Sequence, residues 1–375
     1  MRKRSSKTTW LSLSAAACVL LPLAGVWLSG RSVVPYLQFP PLTGYVAHAP
    51  FNRVIFGAGA LFFLFSMGSL FYISYNSLSL KRDFFARPFP WWGWGGLLLC
   101  ICAWVLAWNR FVWFSILQPY TFFPLWMGYI LSVNGVTYRR SGTCLLLGDP
   151  GRFFLLFPVS AVFWWYFEWL NRFVQNWYYV GVDDFSAFAY VLHATLCFST
   201  VLPAVISTVE LLSTFSAPAD HYLFDAVAGF SPGEWAGRFI LVVMAVILAA
   251  LPMAPDQLFP FVWIAPLFIM AGMQGAVGRP LFFSLLLRRN MQLVLLPALA
   301  GLVCGFFWEM WNWKSLAHWQ YSIPYVDRYH IFAMPILGYL GYLPFGLECQ
   351  MVAFFIIGLL PAVTEQDLFC PVTKP

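Results

Sequence analysis

A chain of 375 residues that is 61% hydrophobic, 20% aromatic and only 10% charged is not a soluble globular protein, in which about a quarter of residues are charged. With a mean hydropathy of +0.73 it needs the bilayer as its solvent, and the expected class is an all-α polytopic membrane protein. The net charge of +6 is scattered over short loops rather than gathered in one stripe, so no nucleic-acid partner is expected.

Taken in chain order, ten apolar stretches approach the ~20 residues a helix needs to cross the hydrocarbon. They fall at about 10–29, 53–75, 91–108, 121–137, 153–171, 187–211, 236–254, 257–274, 291–311 and 330–361. The first follows MRKRSSKTT and has no small-x-small cleavage site after it, so it is expected to stay as an uncleaved anchor. The loop VVPYLQFPPLTGYVAHAPFNR (33–53) is rich in proline, holds His48, and is expected to lid the outer face. The tenth stretch is interrupted by Pro335, Gly338, Gly341 and Pro344, and is either one kinked helix or a broken helix with a re-entrant start.

Lys and Arg orient the spans. With the N-terminus inside, the inner segments hold fifteen of these residues and the outer loops hold six (Arg31, Arg53, Arg110, Arg172, Lys314 and Arg328). The expected location is therefore the inner (plasma) membrane, multi-pass, with both termini cytoplasmic. Trp108, Trp113, Trp177, Tyr178, Trp319 and Tyr321 crowd the outer ends, as an interfacial aromatic belt does.

Of the eight cysteines, Cys18, Cys100, Cys102, Cys197 and Cys304 fall inside apolar stretches, so neither a disulfide framework nor a zinc site is expected. No Walker loop, GxGxxG, GxSxG or HExxH occurs, which leaves nucleotide use, serine hydrolysis and zinc proteolysis without support. No cofactor is implied.

The second half of the chain echoes the first. TFFPLWMGYIL (121–131) matches QLFPFVWIAPLFI (257–269), pairing Pro124 with Pro260. FFLLFPVSAVFWWYFEWLN (153–171) matches MQLVLLPALAGLVCGFFWEMWN (291–312), pairing Pro158 with Pro297, and WGWGG (92–96) pairs loosely with GEWAG (233–237). The expected organisation is a two-helix segment with the Pro-rich loop (1–90), then two four-helix repeats, 91–212 and 234–361. Four helices return each copy to the side it entered from, so the repeats are parallel, with a pseudo-twofold axis along the membrane normal.

Polar residues recur in order within the copies: Glu168, Asn171, Trp177, Tyr179, His193, Pro203 and Glu210, then Glu309, Asn312, Trp319, Tyr321, His330, Pro344 and Glu348. The Glu-to-Asn spacing of three places each pair on one helix face. That face is expected to point into the bundle, because an ionised side chain facing lipid costs several kcal/mol. Glu309 and Glu168 are candidate catalytic groups, acting as general acid or cation stabiliser. Asn171, Asn312, Trp177, Trp319, Tyr179, Tyr321, Trp308, Glu348, His330 and His193 are candidate substrate-binding residues, with aromatic faces suited to a cation or a polyene and the histidines to a proton relay. Each also has a structural alternative. The carboxyls can snorkel or bond a partner helix, the asparagines can act as packing glue, the histidines can pack at the interface, and Arg172 can anchor a helix end.

Trp308-Glu309, Trp319, Tyr321, Pro344 and Glu348, repeated as Glu168, Trp177, Tyr179 and Pro203, resemble the small membrane lycopene cyclase domains of carotenoid synthesis. That resemblance implies a pair of domains protonating a polyene. The family's Pro-x-Glu-Glu is absent here, and its domains have three helices rather than four. Three functions stay open: an intramembrane enzyme acting on a hydrophobic isoprenoid or lipid substrate, a transporter or channel binding a cation or proton at the paired glutamates, and a structural or assembly subunit. The expected partners are the lipid bilayer and a hydrophobic small molecule, and the sequence leaves the oligomeric state open.

Overall fold

A computed structural model describes residues 7–41, 43–78, 87–215, 234–276 and 292–357. The described chain is mostly helical. Its main helices are α1 (Lys7–Leu28), α2 (Arg53–Ser77), α3 (Trp91–Trp108), α4 (Phe122–Ser141), α5 (Pro150–Val174), α6 (Ala187–Phe198), α7 (Val201–Ser213), α8 (Glu234–Ala250), α9 (Ala265–Ala276), α10 (Gln292–Asn312) and α11 (Tyr342–Ile357). Two short strands, β1 (Trp177–Val180) and β2 (His318–Tyr321), follow α5 and α10, and a small hairpin, β3 (His330–Ile331) with β4 (Met334–Pro335), precedes α11.

Local chemistry sets the helix ends that matter for the site. The Asp149 side chain accepts from the Arg152 backbone N–H, and Pro150 opens α5 where its missing N–H has no partner to lose. Gln175 ends α5 in the left-handed conformation, at φ 52°, which turns the chain sharply into β1. Asn52 caps α2 through Val54 N and Ile55 N.

Close helix pairs use glycine, as membrane bundles do. Gly96 lies against Gly128 between α3 and α4, and Gly237 against Gly272 and Gly275 between α8 and α9. Where α10 crosses α11, a Cβ on Gly346 would collide with the Pro297 carbonyl, and one on Gly301 with the Tyr342 carbonyl. The core between these pairs is aromatic: Trp126, Trp311, Phe167 and Phe345 are fully buried. By contrast, α2 presents its large side chains outward, with Val54 81% and Phe65 73% exposed.

Among the described residues, six helices are long and apolar enough to cross a membrane, or seven if the bent pair Pro255–Trp263 and Ala265–Ala276, broken by 61°, counts as one. This is fewer than the ten stretches of the sequence. The apolar run of α4 carries Asn134, Arg139 and Arg140, and α8 has only 17 residues. The tenth stretch is neither one kinked helix nor helical from its start. It opens as the β3–β4 hairpin, tightens into a 3-10 turn over Ile336–Gly341, and becomes α-helical at Tyr342. Of the basic residues that orient the chain, Arg2, Lys3, Arg4, Lys81, Arg82, Arg279, Arg288, Arg289 and Lys374 lie outside the described residues.

Candidate functional site

The two glutamate motifs meet in one place. Strands β1 and β2 pair antiparallel, with Trp177 opposite Tyr321, Tyr178 opposite Gln320, Tyr179 opposite Trp319 and Val180 opposite His318. Each strand is tied to the helix before it by an asparagine. Asn171 Nδ2 donates to the Trp177 carbonyl at 2.7 Å, and its Oδ1 accepts from Asn176 N at 2.8 Å. Asn312 Nδ2 donates to the Trp319 carbonyl and its Oδ1 accepts from Trp319 N, both at 2.8 Å. Both asparagines are buried, and their amides are occupied by main chain, so they fix strand to helix rather than reach into a pocket.

That geometry aims aromatic donors at the carboxyls. Glu168 Oε1 accepts from Trp164 Nε1 at 2.9 Å, Trp177 Nε1 at 3.1 Å and Tyr179 Oη at 2.6 Å. Glu309 Oε1 accepts from Tyr321 Oη at 2.7 Å and Tyr342 Oη at 2.6 Å, while Trp319 Nε1 donates to Tyr321 Oη at 2.7 Å. Both glutamates are buried, and Oε2 of each has no hydrogen-bond partner among the described residues. A buried polar atom left in that state costs about 1–3 kcal/mol.

A cavity of about 1080 Å³ lies against this assembly. Trp164, Trp177, Tyr179, Trp308, Trp319, Tyr321 and Tyr342 line it, and the glutamates stand behind them. Trp263 closes one side, stacked on Trp177 at 5.4 Å and Phe167 at 5.3 Å. Another part of the wall is one face of α2, through Ile55, Gly59, Phe62, Ser66 and Ile73. Tyr179 and Tyr321 turn part of each ring to the cavity, yet burial first and the neighbouring glutamate second push both phenols well above the ordinary tyrosine range. They therefore stay neutral donors.

The remaining candidates separate. His193 lines the cavity, edge-on to Tyr120 and Phe185. His330 lies at the exposed β3 end, paired with Asp327 at 2.8 Å, away from the carboxyls. Glu348 is buried deeper in α11, its Oε2 without a partner among the described residues, and does not line the cavity. Glu210 caps a turn, accepting from Leu145 N at 2.9 Å. Arg172 donates to the carbonyls of Pro35 and Pro40, anchoring the Pro-rich loop. The same loop is held by Thr43 on the Trp177 carbonyl and by His48 on Asp256 at 2.7 Å.

Sequence reasoning missed Trp164 and Tyr342. Trp164 was within reach, because a residue four before Glu168 shares its helix face. Tyr342 lies 33 residues beyond Glu309 and carried no local signal. Among the described residues, no three His, Cys, Asp or Glu side chains are grouped to hold a metal ion. Compared with models of protein families, with curated proteins and with solved structures, the chain finds no match.

Proposed function

We propose that this chain is a multi-pass protein of the inner (plasma) membrane, with both termini cytoplasmic, and that it is an intramembrane enzyme acting on a hydrophobic substrate of isoprenoid or lipid type. The observation that carries this reading is the cavity whose wall is made of the hydrogen-bond donors of two buried carboxyls. Its lining is almost wholly apolar and aromatic, which suits a hydrocarbon chain and any cation formed on it. Glu309 and Glu168 supply acid and charge through the phenols and indoles that touch the bound molecule.

Two parallel four-helix copies, preceded by two helices, are part of the same proposal. The ribbon supports it: Tyr178 and Gln320, each midway between the Trp and Tyr of its own motif, face one another. A twofold axis through that pair exchanges Trp177 with Trp319 and Tyr179 with Tyr321. The resemblance to lycopene cyclase domains is in keeping with this plan.

The test is the lipid extract of cells making the protein. Tyr179→Phe with Tyr321→Phe, and separately Glu309→Gln, are expected to change the isoprenoid or lipid profile while the protein stays in the membrane. An unchanged profile in all variants rejects the enzyme reading.

A further inference from the structure

The two carboxyls are not held alike. Glu168 lies 141 residues before Glu309, and the same offset relates Pro203 to Pro344. At that offset Trp164 corresponds to Gly305, and Val201 to Tyr342. The exchange is concerted. A Cβ on Gly305 would run into the ring of Tyr342, so the space that an indole takes beside Glu168 has been emptied beside Glu309 to admit a phenol. On the other side Val201, at the position that corresponds to Tyr342, is buried, lines the cavity and has no hydroxyl to offer.

The exchange changes chemistry, not only shape. An indole N–H donates and has no acceptor, so it can hold a charge but cannot hand on a proton. A phenol oxygen both donates and accepts. Glu168 accepts from two indoles and one phenol, whereas both donors on Glu309 are phenols, at 2.7 and 2.6 Å, and both phenols line the cavity.

We propose that the carboxyls have divided the work. Glu309 exchanges a proton with the bound molecule through Tyr342 and Tyr321, and Glu168, which has the single phenol of Tyr179 beside two indoles, serves chiefly as an acceptor whose charge faces the cavity through Trp164 and Trp177. In the exchange, the phenol hydroxyl that donates to Glu309 Oε1 turns to the bound molecule, and the carboxyl proton moves to the phenol oxygen as the phenol's own proton goes to a basic atom of that molecule. Glu309 is then a carboxylate and the molecule carries one positive charge; return of the proton over the same two oxygens restores both. This assignment rests on the cavity being a proton-using site, and its test does not depend on knowing the substrate.

The full chain in lipid nanodiscs is compared by infrared spectroscopy in H2O and D2O. Wild type is set against Glu168→Gln, Glu309→Gln, Tyr342→Phe and Trp164→Phe, with Glu210 and Glu348 contributing bands common to all. A protonated-carboxyl band that shifts in D2O is expected to vanish in Glu309→Gln and persist in Glu168→Gln. Its deuterium exchange is expected to slow about tenfold or more in Tyr342→Phe, equivalent to about 1.4 kcal/mol of barrier, and to keep its rate in Trp164→Phe. A band that survives Glu309→Gln, or equal slowing by the two aromatic variants, overturns the division while leaving the enzyme reading to the extract profile. Should Glu309→Gln fail to fold, Tyr342→Phe, which keeps its ring, decides by comparison with Trp164→Phe.

Discussion

Tyr178 faces Gln320 across the ribbon, its hydroxyl donating to Gln320 Oε1 at 2.8 Å. The bond is solvent-exposed, so it aligns the strands without carrying them. The carrying bonds are those of the asparagines beneath.

Replacing Asn171 with alanine leaves the buried Asn176 N–H without its side-chain acceptor, the Trp177 carbonyl keeping Thr43, and replacing Asn312 removes the side-chain partner of both the N–H and the C=O of Trp319. Each change is expected to lower stability by about 1–3 kcal/mol, read as a fall in Tm in detergent. Tyr178→Phe is expected to stay within about 0.5 kcal/mol of wild type. Because both asparagines hold one ribbon, the double variant is expected to lose less than the sum. A Tm unmoved by either alanine would refute the asparagine tie.

The tyrosines give stability a pH dependence of known sign. Tyr179 and Tyr321 have phenols raised well above the ordinary range in the folded chain. Their contribution is therefore complete below the unfolded value of about 10 and is lost as pH rises above it. Above that point the fall approaches about 1.4 kcal/mol per pH unit for each group. Tyr179→Phe and Tyr321→Phe are expected to flatten the alkaline limb of a stability-against-pH curve; an unchanged limb contradicts this.

The cavity can be filled from the α2 side. Ser66 lies on the face of α2 that lines it, and α2 as a whole is little buried. Ser66→Phe is expected to displace co-purifying hydrophobic molecules, measured by mass spectrometry of the extract, with stability within about 0.5 kcal/mol of wild type. Retention of the same molecules in the same amount would mean that they bind elsewhere.

Gly346 sets the approach of α10 to α11, and through it the reach of Tyr342. A Cβ there meets the Pro297 carbonyl, a backbone group that cannot swing aside. Gly346→Val is expected to cost several kcal/mol, above the usual 1–3 kcal/mol of overpacking, seen as loss of folded protein after solubilisation. Gly57→Val, at a glycine with open space around it, is the matched control and is expected to behave as wild type.

What the sequence made visible follows from periodicity. Glu168 and Asn171, like Glu309 and Asn312, share a helix face by their spacing, and the structure puts each pair in the core beside its own strand. The strands themselves were hidden. WYYV and HWQY are four residues long, and their pairing across 140 residues is a tertiary fact that no local pattern contains. The glutamates were expected to face the substrate. Instead their donors stand between, because Trp and Tyr on a strand beside the helix end reach further into the cavity than the carboxyl does. Tyr342 escaped notice because Pro335, Gly338, Gly341 and Pro344 suggested a broken helix, and nothing in that pattern says which side chain the break delivers. His330 was grouped by order with His193, yet the β3–β4 hairpin carries it to the surface.

Both strands of the ribbon belong to one polypeptide, and that has a genetic consequence. In a symmetric homodimer every substitution appears twice, so the two cradles would be chemically identical at every stage of their history. With both strands encoded in a single reading frame, the two cradles are free to differ. Two indoles and a phenol on Glu168, against two phenols on Glu309, are a difference that two copies of one subunit have no means to hold.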